Sequence, residues 1–262
     1  MSSDDLSVRA LRRESATVLV VSGVLDSSTY LEVRDAVVKA ATDAPECLIV
    51  DVRELRAPSS SAWSVLTSAA WLVREWPNVP IAAVADQIRM RELIRGGITR
   101  YVPAYSSLDS ALDHIGDHQA TRVTHRTRTT VPRYIGSPVA AARGIVVDTV
   151  EEWNIDYSAL ASLLTTILVS NVLAHTHSDP DIRVEVHGNT RLIVAVSDES
   201  ADLPLRAEDT SGHTPVASGL ALLTSLTRHW GCTPTAGGKT VWAVAGPGEV
   251  ARFSESMPSR PD

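Results

Sequence analysis

Residues 47–73 have the sequence CLIVDVRELRAPSSSAWSVLTSAAWLV, and this stretch decides the fold class. Residues 47–52 form an almost continuous apolar run, which is typical of a strand buried on both faces. The next segment, residues 59–73, repeats apolar side chains at helical spacing. These residues are Trp63, Leu66, Ala69, Ala70 and Val73. A buried strand that leads into an amphipathic helix indicates an α/β domain.

The same alternation of strands and helices continues on both sides of this stretch. The first half of the chain therefore predicts an α/β domain with a central sheet and flanking helices. The predicted strands are residues 16–24, 47–52, 81–85 and 98–102, and the predicted helices begin near Ser28 or Thr29, at Ser59, at Ile88 and at Leu108.

The charge pattern changes abruptly after this series of elements. Residues 118–147 contain no acidic residue, and we place a domain boundary here, which gives domains at residues 1–117 and 118–262. The run carries Arg122, Arg126, Arg128, Arg133 and Arg143. It is interpreted as a solvated linker and an edge strand whose charges oppose aggregation, with an anion-binding strip as the alternative. The second domain is predicted to contain helices at residues 137–153, 158–174 and from 219, and strands at residues 183–187, 191–197 and 239–245.

The composition disfavours several classes of protein. The chain has 262 residues with 24 Lys and Arg against 31 Asp and Glu, and this net charge of −7 disfavours nucleic-acid binding. Apolar runs such as residues 18–21 have strand length, and the acidic N-terminus shows no signal peptide. We therefore expect a cytoplasmic protein without membrane contact. Cys47 and Cys232 have no metal-ligand spacing and are expected to be buried free thiols.

Two polar residues of the second domain fall on apolar faces. Asn171 shares a helix face with leucines and isoleucines at three- and four-residue steps, and we expect it to point toward the core. Asp198 extends the apolar alternation of the strand before it. A buried polar group without a partner costs about 1–3 kcal/mol, so each side chain needs a protein, water or ligand partner. A satisfied core amide and an exposed turn aspartate are the structural alternatives.

Residues 199–218 form a long polar run, and such runs are often lids. The run ends at Gly219, where a predicted helix begins with free amides that can bind phosphate. Residues 237–240, GGKT, are not a phosphate loop, because Thr233 stands where that motif needs glycine and a strand is predicted to follow.

Four segments in this order resemble the GHKL (Bergerat) ATP-binding domain of bacterial anti-sigma factor serine kinases, over residues 131–244. They are residues 166–176, TILVSNVLAHT, residues 196–198, VSD, residues 218–222, SGLAL, and residues 238–242, GKTVW. The resemblance implies an α/β sandwich that binds ATP and Mg²⁺. It implies that Asn171 holds Mg²⁺ through the nucleotide phosphates, that Asp198 accepts the adenine amino group, and that Gly219 and Thr240 belong to the nucleotide site.

The chain departs from that family's pattern at the catalytic position. Ile167 occupies the position of the glutamate that acts as general base, and an alkyl side chain accepts no proton. Losing a general base costs about 10²–10⁴ in rate, so we assign no catalytic residue and expect no efficient enzyme. Ser200, Asp202 and Ala217 stand where the family has small residues or glycine, and the acid at 202 would repel phosphate.

The first half, residues 6–116, resembles a STAS domain of the anti-sigma factor antagonist type. The matching segments are residues 21–26, VSGVLD, residues 95–98, RGGI, and residues 105–108, YSSL. In that family a serine in the loop after the central strand is phosphorylated, and Ser60 is the equivalent residue here. Ser59 and Ala62 replace the family's Asp and Gly. A plain helix cap by Ser59 or Ser60 is the alternative.

The two resemblances together imply a regulatory partner-switching protein that controls sigma-factor-dependent transcription. Its partners would be an anti-sigma factor, a sigma factor or a phosphatase. The two domains can also contact each other, because a short linker gives effective concentrations of about millimolar. The alternatives are an active protein serine/threonine kinase that uses ATP to phosphorylate a STAS-domain serine, and a small-ligand sensor.

Overall fold

The computed structural model describes residues 5–13, 16–43, 45–115, 123–188, 190–200, 219–235 and 237–256. The chain forms two compact units, Met1–Ala120 and Thr121–Asp262. The boundary expected at residues 117–118 lies outside the described residues. Each unit contains one five-stranded sheet and several helices, so both have a mixed α/β fold.

The first unit is built on the sheet β1-β2-β3-β4-β5, in which β1 is antiparallel to β2 and the other neighbours are parallel. Its elements are β1 (Ser7–Arg12), β2 (Ala16–Val24), α1 (Tyr30–Thr42), β3 (Cys47–Arg56), a 3-10 turn (Ser60–Trp63), α2 (Ser64–Leu72), β4 (Ile81–Val84), α3 (Gln87–Arg95), a 3-10 turn (Ile98–Arg100), β5 (Ala104–Tyr105) and α4 (Leu108–Ile115).

Helices cover both faces of this sheet, which explains why β3 begins with six buried residues. Side chains of α1, α2 and α3 pack on one face, where Val50 and Val52 belong to the larger core. Ala111 of α4 packs on the other face with Ile49. The predicted central sheet with flanking helices is confirmed for this unit. The edge strand β1 is mostly exposed and carries Arg9 and Arg12.

One predicted strand of the first unit is wrong. Residues 98–102 contain a 3-10 turn, and β5 follows at Ala104–Tyr105. Gly97 has a left-handed backbone with φ of 70°, which turns the chain before Ile98. Ile98 and Val102 are buried, so their apolar spacing reflects core packing beside the sheet.

The second unit is built on the fully antiparallel sheet β6-β7-β8-β10-β9. Its elements are β6 (Val123–Thr130), α5 (Pro138–Glu152), α6 (Ser158–His175), β7 (Asp181–His187), β8 (Arg191–Asp198), α7 (Gly219–Leu226), β9 (His229–Thr235), β10 (Gly238–Ala245) and α8 (Pro247–Ser256). Strand β9 was not predicted, because Gly231 and Pro234 interrupt its pattern. A Cβ on Gly231 would lie 2.5 Å from the Trp242 ring, so glycine makes room for the indole.

Helix α6 lies in the core of the second unit, packed against α5, α7 and β8. Its buried residues include Leu160, Leu164 and Leu168. Among the described helices, α6 alone is long and apolar enough to span a membrane by length and composition. The contacts of this helix account for its apolar side chains within the protein.

The arginines of the acid-free run make internal contacts. Arg126 and Arg128 of the edge strand β6 pair across to Glu185 and Asp181 of β7. Arg133 donates from Nη1 to the carbonyl oxygen of Thr176, 2.7 Å away, just after α6 ends. The predicted edge strand is confirmed, and these three guanidinium groups are engaged in structure.

Glu185 lies fully buried on the sheet face opposite the helices. Its carboxylate accepts from Arg126 Nε at 2.8 Å and from His187 Nε2 at 2.8 Å. Burial by itself raises the pKa of Glu185, but the His187 hydrogen bond and the charges of Arg126 and Arg183 outweigh it and hold the pKa below its ordinary value. The carboxylate is therefore ionised in the folded chain.

This arrangement predicts an acid-sensitive component of stability. A carboxylate with a lowered folded pKa stabilises the protein above its unfolded pKa, near 4.5, and loses that contribution as the pH falls through the folded pKa. The unfolding free energy of Glu185→Gln should therefore change less steeply with pH below about 4.5 than that of the wild type. Urea denaturation at several pH values measures the slopes. The Glu54→Gln variant, which removes an exposed carboxylate, is the control. Equal slopes for all three proteins would contradict the assignment.

The close approach of β10 to β8 generates a second prediction. A Cβ on Gly238 would lie 1.9 Å from the carbonyl oxygen of Asp198, whereas one on Gly237 would have no atom within 4 Å. Gly238→Ala should lower the unfolding free energy by about 3 kcal/mol, because the strands must separate to admit the methyl group. Gly237→Ala is the matched control. Equal urea midpoints for the two variants would show that the strands do not meet as described.

Candidate functional site

The loop between β3 and α2 presents three consecutive serines to solvent. The hydroxyls of Ser59 and Ser61 lie 2.8 Å apart and are hydrogen-bonded to each other. Ser60, the first residue of the 3-10 turn, is exposed and makes no side-chain hydrogen bond to any residue that the structure describes. Ser59 precedes the turn without capping it through its side chain. Among the described residues, neither side chain caps the turn, so the helix-cap alternative is not observed and the Ser60 hydroxyl is open to solvent.

Two contacts with α3 anchor this loop and the strand before it. Trp63 is fully buried and donates from Nε1 to Oε2 of Glu92 on α3, 3.0 Å away. Arg89, also on α3, donates from Nε to the carbonyl oxygen of Leu55 at 3.0 Å, near the end of β3. Trp63 thus fixes the turn on which Ser60 lies.

In the second unit, Ile167 and Gly219 lie against each other. A Cβ on Gly219 would lie 3.1 Å from Cγ2 of Ile167, so the start of α7 packs on this side chain. Asn171, one turn further along α6, is half-buried and has no hydrogen bond among the described residues. The expectation that Asn171 points into the core is therefore met only in part. Residues 201–218 of the predicted lid, including Asp202 and Ala217, lie outside the described residues.

Asp198 forms a buried ion pair with Lys239. The lysine Nζ donates to Oδ1 of Asp198 at 3.0 Å, and the two residues are directly paired across β8 and β10. Their side chains are 0% and 5% exposed, so the alternative of an exposed turn aspartate is wrong. The same ammonium donates to the carbonyl oxygen of Ser200 at 3.3 Å. Oδ2 of Asp198 is buried without a partner among the described residues.

Thr240 does not join Asp198. Its hydroxyl is hydrogen-bonded to that of Ser197, 2.7 Å away, on the opposite face of the sheet. Lys239 takes the place beside Asp198, and sequence reasoning missed this residue. The alternation of side chains along β10 could have indicated this residue. Lys239 shares a face with Val241 and Ala243, which pack in the helix-side core.

The surroundings of Asp198 do not fit the nucleotide contacts that the GHKL resemblance implies. Lys239 already donates to the carboxylate that an adenine amino group would need. A cavity of about 520 Å³ beside Asp198 is lined by carboxylates and contains no lysine or arginine among the described residues. Its lining residues are Thr130, Tyr134, His177, Ser178, Asp179, Asp181, Ser197, Asp198 and Glu199. Such a lining repels a triphosphate.

A protein-based metal site has no support in the described ranges either. No group of three or more His, Cys, Asp or Glu side chains there is placed to hold a metal ion. Cys47 and Cys232 are both free thiols, Cys47 buried and Cys232 half-buried. Burial raises the pKa of each thiol to about 11, which leaves little reactive thiolate at neutral pH.

Solved structures that are similar to part of this chain include three proteins. An anti-sigma factor antagonist from Mycobacterium paratuberculosis has 22% sequence identity and a TM-score of 0.38, over 44% of this chain and 98% of that protein. A serine-to-glutamate variant of RsbS from Moorella thermoacetica has 19% identity and a TM-score of 0.35, over 42% and 95%. SpoIIAA, an anti-sigma factor antagonist in its unphosphorylated form, has 12% identity and a TM-score of 0.34, over 44% and 99%. No protein-family model and no curated protein matches the chain.

The anchoring of the serine loop predicts a specific loss of stability. Trp63→Phe keeps most of the buried ring but removes the donor to Glu92, which should lower the unfolding free energy by about 1 kcal/mol. Trp71→Phe is the matched control, because Trp71 lies on α2 with 70% of its surface exposed. Chemical denaturation followed by circular dichroism measures both variants. A loss in Trp71→Phe as large as in Trp63→Phe would contradict the role of the buried indole.

Proposed function

We propose that this chain is a regulatory partner-switching protein that controls sigma-factor-dependent transcription in the cytoplasm through protein–protein interaction. The first unit acts as a STAS domain of the anti-sigma factor antagonist type. The second unit acts as a degenerate GHKL-like domain that docks partners and catalyses no phosphate transfer. The partners are an anti-sigma factor, a sigma factor or a phosphatase.

The position of Ser60 is the observation that carries this proposal. The hydroxyl is exposed, makes no internal hydrogen bond among the described residues, and lies on a turn that Trp63 fixes to α3. A phosphate on this hydroxyl would add about −1.5 to −2 charges without disturbing a buried contact. A partner that binds the serine loop would therefore encounter a changed charge while the backbone of the loop stays the same. Phosphorylation of Ser60 therefore works as a release signal.

The second unit does not supply that phosphate. Ile167 presents an alkyl group where a general base is needed, and it packs against Gly219. The missing base costs about 10²–10⁴ in rate. The kinase is therefore a separate anti-sigma factor, which binds the ATP and Mg²⁺ that the reaction uses.

Charge substitution at Ser60 tests the proposal. The full chain is tested for binding to each anti-sigma factor serine kinase of its source organism by biolayer interferometry. Ser60→Asp should weaken one such complex by at least about tenfold, because it places a charge in the interface, whereas Ser60→Ala should bind like the wild type. Ser106→Asp, which adds the same charge to an exposed serine before α4, is the matched control.

Mass spectrometry completes this test. Incubation of the complex with ATP should place phosphate on the tryptic peptide of residues 57–74, at Ser60, and the chain incubated alone with ATP should stay unmodified. Phosphate at Ser60 in the chain alone would favour the kinase alternative. Equal binding by Ser60→Asp and Ser60→Ala to every partner would overturn the proposed switch.

A further inference from the structure

We infer that Lys239 closes the second unit to nucleotides by occupying, from within the chain, the carboxylate that an adenine base would use. This inference rests on the GHKL-like character of the second unit in the proposed function, and it assigns Lys239 as the residue that determines ligand specificity there. Four observations around Asp198 support it.

The first observation is the chemistry of the pair. An adenine amino group would approach Asp198 as a hydrogen-bond donor, and the ammonium of Lys239 is a stronger, charged donor already 3.0 Å from Oδ1. Both side chains are shielded from water, so neither charge can be left alone without a large penalty. A ligand could reach Oδ1 only by displacing the ammonium and the Ser200 backbone amide, 2.8 Å away. It could reach Oδ2 only if the fully buried side chain became exposed.

The second observation is that the backbone holds Lys239 in place. Lys239 is paired directly with Asp198 across β10 and β8. The preceding Gly238 lies so close to the Asp198 carbonyl that a Cβ would overlap it. The additional bond from Nζ to the Ser200 carbonyl oxygen ties the residues after β8 to the same ammonium. The strand pairing therefore fixes the backbone of Lys239 beside Asp198.

The third observation is the charge of the adjacent cavity. Its carboxylates include Asp179, Asp181 and Glu199, which a triphosphate would have to approach. Asp181 is paired with Arg128, and Asp179 accepts from the Arg133 backbone amide. No Lys or Arg lines the described part of this cavity to offset the phosphate charge.

The fourth observation identifies what removal of Lys239 would expose. Oδ2 of Asp198 is buried and has no partner among the described residues. Without the ammonium, Oδ1 would keep only the Ser200 backbone amide, 2.8 Å away, and the buried carboxylate would lose its counter-charge, which is strongly destabilising. A neutral donor of adenine type would relieve that cost. Replacement of Lys239 by a neutral side chain of similar length should therefore create affinity for adenosine.

Amine labelling of the wild-type full chain tests the closed state. The sequence has two lysines, Lys39 on the exposed side of α1 and buried Lys239, so Lys39 is an internal control. Reductive methylation followed by peptide mass spectrometry should modify Lys39 and leave Lys239 protected. Addition of Mg·ATP should not change this protection. Modification of both lysines at the same rate would overturn the inference.

Calorimetric titration with adenosine tests the specificity. Lys239→Met should bind adenosine at least about tenfold more tightly than the wild type, and the double variant Lys239→Met, Asp198→Asn should lose that gain. Lys39→Met is the matched control and should bind like the wild type. Equal affinity of the wild type and Lys239→Met, or a gain that persists in the double variant, would overturn the inference. If Lys239→Met does not fold, the labelling experiment decides.

These experiments use no protein partner, so their outcome is separate from that of the Ser60 binding test. A wild-type chain that binds adenosine and Mg·ATP through Asp198 would overturn the role of Lys239 while leaving the partner switch intact. A chain that binds no nucleotide, and whose affinity for partners is unchanged by substitution of Ser60, would overturn the switch. The role assigned to Lys239 would then stand.

Discussion

Two carboxylates are buried on opposite faces of the second sheet, and each is stable there because a cation lies against it. Asp198 is paired with Lys239 on the helix side, and Glu185 is paired with Arg126 on the other side. Burial of an unpaired carboxylate would be prohibitively costly, so these pairs fix which strands adjoin and in which register. Strand β10 must pair with β8 so that Lys239 lies opposite Asp198. Strand β6 must pair with β7 so that Arg126 lies opposite Glu185. The strand order β6-β7-β8-β10-β9 contains both of these pairings.

Whether a feature could be predicted depends on how far apart in sequence the interacting residues are. Local periodicity predicts β3, α2 and α6, because each buries a face that its own residues define. The same rule fails at Ile98 and Val102, where a left-handed Gly97 redirects the chain and the apolar side chains reach the core from a turn. Burial of Asp198 follows from alternation along β8. Its partner, Lys239, depends on the register between strands distant in sequence. The resemblance placed Thr240, and not Lys239, in the nucleotide site, whereas the Thr240 hydroxyl is bonded to Ser197.

The two units use polar residues in opposite ways. In the first unit, the Ser60 hydroxyl is exposed to solvent on a turn that buried Trp63 holds in place. A chemical change at this hydroxyl would therefore leave the fold unchanged. In the second unit, the Asp198 carboxylate is buried, and its Oδ1 accepts from Lys239. An exposed hydroxyl and a buried, internally paired carboxylate suit the partner-switching function proposed above.

The edge strands β1 and β6 lead to a consequence for self-association. β1 carries Arg9 and Arg12, and β6 carries Arg126 and Arg128, of which the last two are paired with acids on the neighbouring strand. A second copy that added a strand at either edge would have to remove these guanidinium groups from water or break their ion pairs. Backbone pairing between copies is thereby discouraged along these two strands. Contacts of another protein with β1 or β6 are left to side chains rather than to the backbone.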